Sequence, residues 1–165
     1  MNSCHIWKML GGLWDMDLND IYQQIILEHS KSKKNKHEIK DFDFEEPGHN
    51  PSCGDEITIQ LKLSDDKKSI EDIAFTGVGC AISQASASIM CDLLRGKSLE
   101  EARQLCETFI GMIRREITDE DILDTLDDAL ALRNISNMPA RVKCAILAWR
   151  TLNDIINEKN QKIPV

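Results

Sequence analysis

The sequence predicts an α+β protein: an N-terminal helix, a small antiparallel sheet of about three strands, and a C-terminal group of helices packed on it. Two observations predict this order. Between residues 42 and 79 apolar residues alternate with polar ones, which is the period of a half-buried strand. From residue 80 onward they recur at helical spacing. The length of 165 residues suits one domain with one core.

The first predicted element is an amphipathic helix that starts directly after Met16. Its apolar residues lie at helical spacing: Leu18, Ile21, Tyr22, Ile25 and Ile26. Residues 1–15 match no helix or strand period and hold two of the three tryptophans. We interpret them as a disordered extension or as an artefact of the start site, with Met16 as the biological start. The single domain is expected to span residues 16–157, followed by a polar tail over 158–165.

Three strands are predicted next, after a solvated basic loop over 31–36. The first, an edge strand, is marked by Phe42 and Phe44, which alternate with acidic residues. A turn-rich loop over 47–55 leads to the second strand, whose apolar residues alternate with polar ones: Ile57, Ile59, Leu61 and Leu63. A turn over 64–68 leads to the third strand, which ends at residue 79 and carries two apolar markers: Ile73 and Phe75.

Helical periodicity begins at Cys80, and further helix starts follow. The first of these helices keeps its apolar residues on one face: Ile82, Ala85, Ile89 and Leu93. Ser98 and Glu101 form a capping box for the next helix. Thr118 is followed by three acidic residues, which suit the positive end of a helix dipole. Pro139 suits the first turn of a last helix with one apolar stripe: Val142, Ala145, Ile146, Trp149, Leu152 and Ile156.

Charge and hydropathy exclude several classes of function. The chain has 28 acidic and 20 basic residues, a net charge of −8, whereas a non-specific nucleic-acid binder normally carries a basic surplus. No apolar run approaches the roughly 18 residues that a membrane span needs, and no secretory signal is apparent. We therefore expect a cytoplasmic protein without a nucleic-acid or membrane partner. A serine hydrolase is not expected, because no histidine lies at a recognisable spacing from the serines.

Cysteine is the informative residue type, with six copies in the chain. A cytosolic protein of this size does not need disulfides, so these residues are interpreted as core residues, metal ligands or reactive thiols. Cys53 and Asp55 flank Gly54 in a loop. Because glycine tolerates a tight bend, both side chains can turn toward one point.

Cys80 and Cys144 are the further candidate ligands. Cys80 directly precedes a helix, whose N-terminus favours a thiolate. Cys144 lies about 130° from the centre of the apolar stripe of the last helix, and Arg141 lies on the same side. Three thiolates and a carboxylate can form a closed tetrahedral zinc site. The spacing includes no Cys-x-x-Cys pair, so packing at a strand–helix corner for Cys80 and an idle surface position for Cys144 stay open.

The other candidates carry less weight. Cys106 falls in the middle of the apolar stripe of its helix and is interpreted as a core residue. Cys91 lies away from the apolar face of its helix and receives no role, so we expect Cys91→Ser to be nearly silent. His49 is close enough to Cys53 to act as a spare ligand, although a solvated loop histidine is the preferred interpretation.

Three motifs resemble those of the NifU-N/IscU-like iron–sulfur cluster assembly family. They are Asn50-Pro51-Ser52-Cys53-Gly54-Asp55, Gly77-Val78-Gly79-Cys80-Ala81-Ile82-Ser83 and Pro139-Ala140-Arg141-Val142-Lys143-Cys144-Ala145. The similarity runs from about Leu18 to Ile156. Within the family the chain most resembles the SufU type of zinc-dependent sulfurtransferase. Lys143 stands where the scaffold type has a histidine, and an extra helix-forming segment lies around 117–132. The chain departs from the family in the basic loop over 31–36, where a Pro-containing turn is common.

The resemblance implies a zinc site whose ligands are Cys53, Asp55, Cys80 and Cys144, with Arg141 close by. It also implies a partner, a pyridoxal-phosphate-dependent cysteine desulfurase of the SufS type, which the protein activates. Cys53 would accept persulfide sulfur after a desulfurase histidine replaces one cysteine on zinc, and the sulfur would pass to a downstream iron–sulfur assembly complex. Two alternatives stay open: a scaffold that assembles a 2Fe–2S cluster on the same ligands, and a zinc-stabilised protein that only activates its partner by docking.

Overall fold

A computed structural model of the chain describes residues 17–162. Its elements are α1 (Leu18–Lys31), β1 (Phe44–Asn50), β2 (Asp55–Leu63), β3 (Ile70–Val78), α2 (Ala81–Leu94), α3 (Leu99–Ile113), the short helix α4 (Glu120–Leu123), a run of 3₁₀ turns (Asp124–Asn137) and α5 (Pro139–Lys162). This order confirms the predicted α+β architecture. The proposed extension over 1–15 lies outside the described residues, whereas α5 continues into the predicted polar tail. Within the described range no helix is long and apolar enough to cross a membrane.

The three strands form one antiparallel sheet in the order β1-β2-β3. Asn50, the last residue of β1, is paired with Asp55, the first of β2. Glu56 is paired with Val78, the last residue of β3. The β1–β2 turn and the connection from β3 to α2 therefore lie at the same end of the sheet.

Strand β1 is longer than the sequence predicted, because part of the expected loop over 47–55 is strand. Pro47 is compatible with this position because β1 is an edge strand, the kind of strand in which proline is usually found. Gly48 lets α5 lie close to the strand, since a Cβ at this position would come within 2.2 Å of Thr151 Oγ1. Phe42, the predicted start of the strand, lies before it and is 42% exposed.

Helix α2 is the centre of the molecule rather than a helix with one apolar face. Ten of its fourteen residues are buried, and it packs against α1, α5 and β3. Its buried hydroxyls are used for contacts between elements: Ser86 Oγ donates to the Ala145 carbonyl at 2.5 Å and accepts from Trp149 Nε1 at 2.9 Å. The Trp149 ring stacks on Phe109, with 4.0 Å between centroids. These contacts join α2, α3 and α5 into one core.

The basic loop after α1 is held in place by Asn35. Its lysines are exposed, as the sequence predicted, but Asn35 is buried. Asn35 Nδ2 donates to the Ser88 carbonyl and to Asp92 Oδ1, both at 3.0 Å, and Asn35 Oδ1 accepts from Arg95 Nη2 at 2.8 Å. These hydrogen bonds anchor the loop on α2.

The segment after α3 contains less α-helix than the acidic start at Thr118 indicated. Asp119 is the cap, since its side chain accepts from the backbone N–H groups of Asp121 and Ile122. Only four residues of α-helix follow before the 3₁₀ turns begin. Within those turns Asp127 has a φ of 55°, in the left-handed region. A continuous α-helix cannot pass through such a residue.

Burial changes the expectation for Cys91. Cys91 and Cys106 are both fully buried in the apolar core, and burial raises the pKa of each thiol. We expect Cys91→Ser to lower the free energy of unfolding by about 1–2 kcal/mol, because a more polar hydroxyl would be buried there. Cys106→Ser is the matched control and should lose a similar amount in urea unfolding. A Cys91→Ser protein as stable as wild type would contradict this prediction.

Candidate metal centre

The centre of the site is the turn that carries Cys53. This turn links the paired residues Asn50 and Asp55, and Gly54 within it has a φ of +68°, which favours glycine. The backbone N–H of Cys53 donates to the Asn50 carbonyl at 3.4 Å. The half-buried Cys53 thiol donates to the Ala140 carbonyl at 3.8 Å. The Cys53 thiol is thus partly exposed on a surface turn.

Asp55 is buried, and both its carboxylate oxygens accept hydrogen bonds. Oδ1 accepts from the Cys80 backbone N–H at 2.9 Å and lies 3.1 Å from Ser83 Oγ. Oδ2 accepts from Asn50 Nδ2 at 3.1 Å. Burial opposes ionisation of the carboxyl, but these hydrogen bonds and one from the Cys144 thiol outweigh it and lower the pKa of Asp55. Asp55 is therefore a buried carboxylate that stays ionised.

Cys80 caps the N-terminus of α2. Its Sγ accepts from the Ser83 backbone N–H at 3.5 Å, so the thiol lies at the positive end of the helix. Gly79 allows Asp55 to approach, because a Cβ at Gly79 would lie 2.8 Å from Asp55 Oδ1. Cys80 thus lies at a strand–helix corner, as one interpretation of the sequence proposed, and it also lines the candidate site.

Cys144 lies on α5 and is 0% exposed, so the idle surface position considered from the sequence is wrong. Its Sγ accepts from Asn50 Nδ2 at 3.5 Å. Burial raises the pKa of the Cys144 thiol, and hydrogen bonds with Cys53, Asp55 and Cys80 raise it further. Cys144 is off the apolar stripe because that flank of α5 faces the end of the sheet rather than the core.

Arg141 lies one turn before Cys144 on α5 and is half-buried. A hydrogen bond with Cys144 raises the pKa of Arg141, and the negative potential of Cys80, Cys144 and Cys53 raises it further. The guanidinium is therefore a fixed positive charge beside the thiols. Lys143, in contrast, is exposed.

The donor atoms are arranged in a way that fits a zinc ion. Cys53 Sγ, a carboxylate oxygen of Asp55 and Cys144 Sγ all lie within 4.8 Å of one another. Tetrahedral zinc with Zn–S bonds of about 2.3 Å places neighbouring donors about 3.8 Å apart, so a small inward movement suffices. Cys80 Sγ is outside this 4.8 Å group but interacts with Cys144. Thiolates with one carboxylate suit zinc chemically.

His49, the spare ligand considered from the sequence, is not part of this group. Its Nδ1 lies 3.7 Å from Glu56 Oε1 on the surface of the sheet, which agrees with the preferred interpretation of a solvated histidine. Two residues of the site had received no role from the sequence, Asn50 and Ser83. Asn50 belongs to the Cys53 motif, and Ser83 follows Cys80 by three residues. That proximity was the available signal, since a polar residue beside a ligand often orients it.

Comparison with known proteins shows the family of the chain. Residues 21–163 match the family described as NifU-like N terminal domain. The Thermotoga maritima iron–sulfur cluster assembly scaffold protein IscU is 42% identical over 84% of this chain and 94% of its own. The Bacillus subtilis zinc-dependent sulfurtransferase SufU is 38% identical over 84% of this chain and 91% of its own.

A solved structure from Fervidobacterium islandicum has the same fold. It is described as an iron–sulfur cluster assembly scaffold protein for the SUF system. The TM-score is 0.73 with 36% identity, over 84% of this chain and 98% of that one. The similar proteins thus carry both scaffold and sulfurtransferase names, and the choice between these roles depends on the residues of the site.

Proposed function

The chain belongs to the family of NifU-like N-terminal domains, and from this premise we propose that it is a zinc-dependent sulfurtransferase of iron–sulfur cluster assembly. It accepts the outer sulfur of a persulfide from a cysteine desulfurase onto Cys53. The observation that carries the proposal is the unequal placement of the candidate ligands. Asp55 and Cys144 are buried, and the two partly exposed thiols differ in their backbone setting. Cys53 lies on a surface turn, whereas Cys80 is fixed as the N-cap of α2. Only a thiol that another protein can reach can take sulfur from it.

The residues that would hold Zn²⁺ are Cys53, Asp55, Cys80 and Cys144. When bound, zinc would keep the thiols deprotonated, and it has no redox chemistry that could oxidise a persulfide. Three thiolates and one carboxylate around a divalent ion leave a formal charge of about −2. The neighbouring guanidinium of Arg141 offsets part of that charge.

The transfer step is a thiol–persulfide exchange. The Cys53 thiolate attacks the outer sulfur of the desulfurase persulfide. The donor's S–S bond breaks as a new S–S bond forms at Cys53 Sγ, and the donor cysteine leaves as a thiolate. The transferred sulfur keeps its oxidation state, so no external oxidant or reductant is needed. Cys144 is not suited to this attack, because its side chain has no exposed surface.

Lys143 and the acidic net charge of the chain also support this proposal. Lys143 occupies the position before the last candidate ligand, where the scaffold type has a histidine, so a fifth potential donor is missing from the chain. The net charge of −8 favours a partner with a basic docking surface. A cysteine desulfurase of the SufS type is the proposed partner, and the downstream acceptor is an iron–sulfur assembly complex.

The test combines metal analysis with mapping of the sulfur. The purified protein is expected to contain about one zinc per chain and little iron. After incubation with its desulfurase and cysteine, mass spectrometry should find an additional mass of about 32 Da on the peptide that contains Cys53.

Two other results would each support another function. Stoichiometric iron with visible charge-transfer bands would indicate a 2Fe–2S scaffold. A faster desulfurase reaction without sulfur on Cys53 would indicate activation by docking alone. Either result would overturn the sulfurtransferase proposal.

A further inference from the structure

We infer that Asn50 and Ser83 are positioning residues that hold Asp55, Cys80 and Cys144 as a three-ligand cradle, independently of Cys53. The inference rests on the proposed function, because it explains how a metal ion stays bound while Cys53 accepts sulfur. It concerns residues that contact the candidate ligands and are not candidate ligands themselves.

Asn50 connects one side of the cradle. Its side chain is 4% exposed, and Nδ2 donates to Asp55 Oδ2 at 3.1 Å and to Cys144 Sγ at 3.5 Å. An amide nitrogen has two hydrogens, so both are used. A single side chain at the end of β1 thereby sets the distance between a ligand on β2 and a ligand on α5.

Ser83 connects the other side. It is 1% exposed and lies in the first turn of α2. Its backbone N–H donates to Cys80 Sγ at 3.5 Å, and its hydroxyl lies 3.1 Å from Asp55 Oδ1 and 3.0 Å from the Cys80 carbonyl oxygen. Cys80 itself donates its backbone N–H to the same Asp55 oxygen at 2.9 Å. Cys80 and Asp55 are therefore fixed relative to each other by one direct hydrogen bond and by Ser83, which contacts both residues.

The side chains of Asn50 and Ser83 do not hold Cys53. Its thiol donates to the Ala140 carbonyl and interacts with Cys144, but across residues 17–162 neither Asn50 Nδ2 nor Ser83 Oγ donates to it. Withdrawal of the Cys53 side chain toward a partner would break its hydrogen bond with Cys144, but none of the hydrogen bonds that Asn50 and Ser83 make to Asp55, Cys80 and Cys144. Groups fixed in this way before binding are what a retained metal site requires.

The experiment measures zinc dissociation constants by competition with a chromogenic chelator. The proteins are wild type, Asn50→Ala, Ser83→Ala and Asn35→Ala, each with Cys53 and with Cys53→Ser. Asn35 is the matched control, because it is an asparagine that is 1% exposed and hydrogen-bonded through its side chain, as Asn50 is. Its partners are Ser88, Asp92 and Arg95 instead of the candidate ligands. Cobalt(II) spectra of the same proteins report how many thiolates bind the metal.

The cradle predicts that Asn50→Ala and Ser83→Ala each weaken zinc binding by about 10- to 100-fold, the usual cost of losing a group that orients a ligand. The loss should be the same with Cys53 and with Cys53→Ser, because the two positions act independently. Asn35→Ala should change zinc affinity by less than about 3-fold. If Asn50→Ala does not fold, Asn50→Leu, which has a similar size but no donor, and Ser83→Ala test the same point.

The inference is overturned if the effect of Asn50→Ala or Ser83→Ala disappears in the Cys53→Ser background, because those residues would then act through Cys53. It is also overturned if Asn35→Ala weakens zinc binding equally, because the effect would then be general destabilisation. Failure of sulfur transfer would instead appear as no added mass on wild-type Cys53, with the pattern of zinc affinities unchanged. The two proposals therefore fail in distinguishable ways.

Discussion

Replacing Cys53 with serine is expected to abolish sulfur acceptance in a protein that stays folded and keeps part of its zinc. The thiol lies on a surface turn, and its one hydrogen bond to the protein backbone is a 3.8 Å contact, so little folding energy depends on it. A serine hydroxyl is not a sulfur nucleophile at neutral pH, whereas a thiolate is. Persulfide mapping by mass spectrometry with the desulfurase and cysteine, together with thermal unfolding, checks both parts.

Two comparisons make this result specific to Cys53. Ser52→Ala changes the neighbouring exposed residue of the same turn and should leave sulfur acceptance unchanged. Cys144→Ser should lose most zinc and lower the free energy of unfolding by about 1–3 kcal/mol, because this residue is buried among hydrogen-bonded groups. Added sulfur on Cys144 or Cys80, or full transfer by Cys53→Ser, would show that Cys53 is not the acceptor.

Asp55→Ala is expected to have the largest effect on stability and also to weaken zinc binding. Without the carboxylate, the Cys80 backbone N–H, the Ser83 hydroxyl and Asn50 Nδ2 lose an acceptor in a buried site. We expect the metal-free protein to lose about 2–4 kcal/mol of unfolding free energy. Three thiolates remain, so some zinc affinity should persist.

Urea unfolding in the presence of a chelator isolates the effect on the fold, and zinc competition measures the effect on the ligand set. Asp55→Asn is the matched variant, because it keeps the volume and one acceptor oxygen but loses the charge. It should recover part of the stability and less of the zinc affinity. An Asp55→Ala protein with wild-type stability without metal would contradict the buried network, and unchanged zinc affinity would contradict Asp55 as a ligand.

Local signals in the sequence predicted most of the fold. The capping box of Ser98 and Glu101 and the helix start at Cys80 depend on neighbouring residues, and both are present in the structure. The alternation along β2 predicted the central strand for the same reason. Burial of α2 on all sides was not predictable in this way, because the partners of its serines lie on distant elements. Ser86, for example, contacts Trp149, which is 63 residues away.

The site was less accessible to sequence reasoning alone. The spacing of the cysteines did not define a metal motif, and the ligand set followed from the family resemblance. The closeness of Asn50 to Cys53 in the sequence was a signal of a role at the site, but it could not predict the contact with Cys144, which is 94 residues further along the chain. Cys91 was misjudged because helical periodicity describes one face of a helix, whereas α2 has core on every side.

The pairing of Asn50 with Asp55 makes the geometry of the candidate metal centre depend on the register of the β1–β2 hairpin. Side chains alternate between the two faces of a sheet, so a slip of one residue between β1 and β2 would turn Asp55 away from Cys144 and present Glu56 instead. A zinc ion would bind the correctly aligned hairpin in preference to the slipped one. By mass action, a metal ion bound at the proposed site would then favour the native alignment of the hairpin.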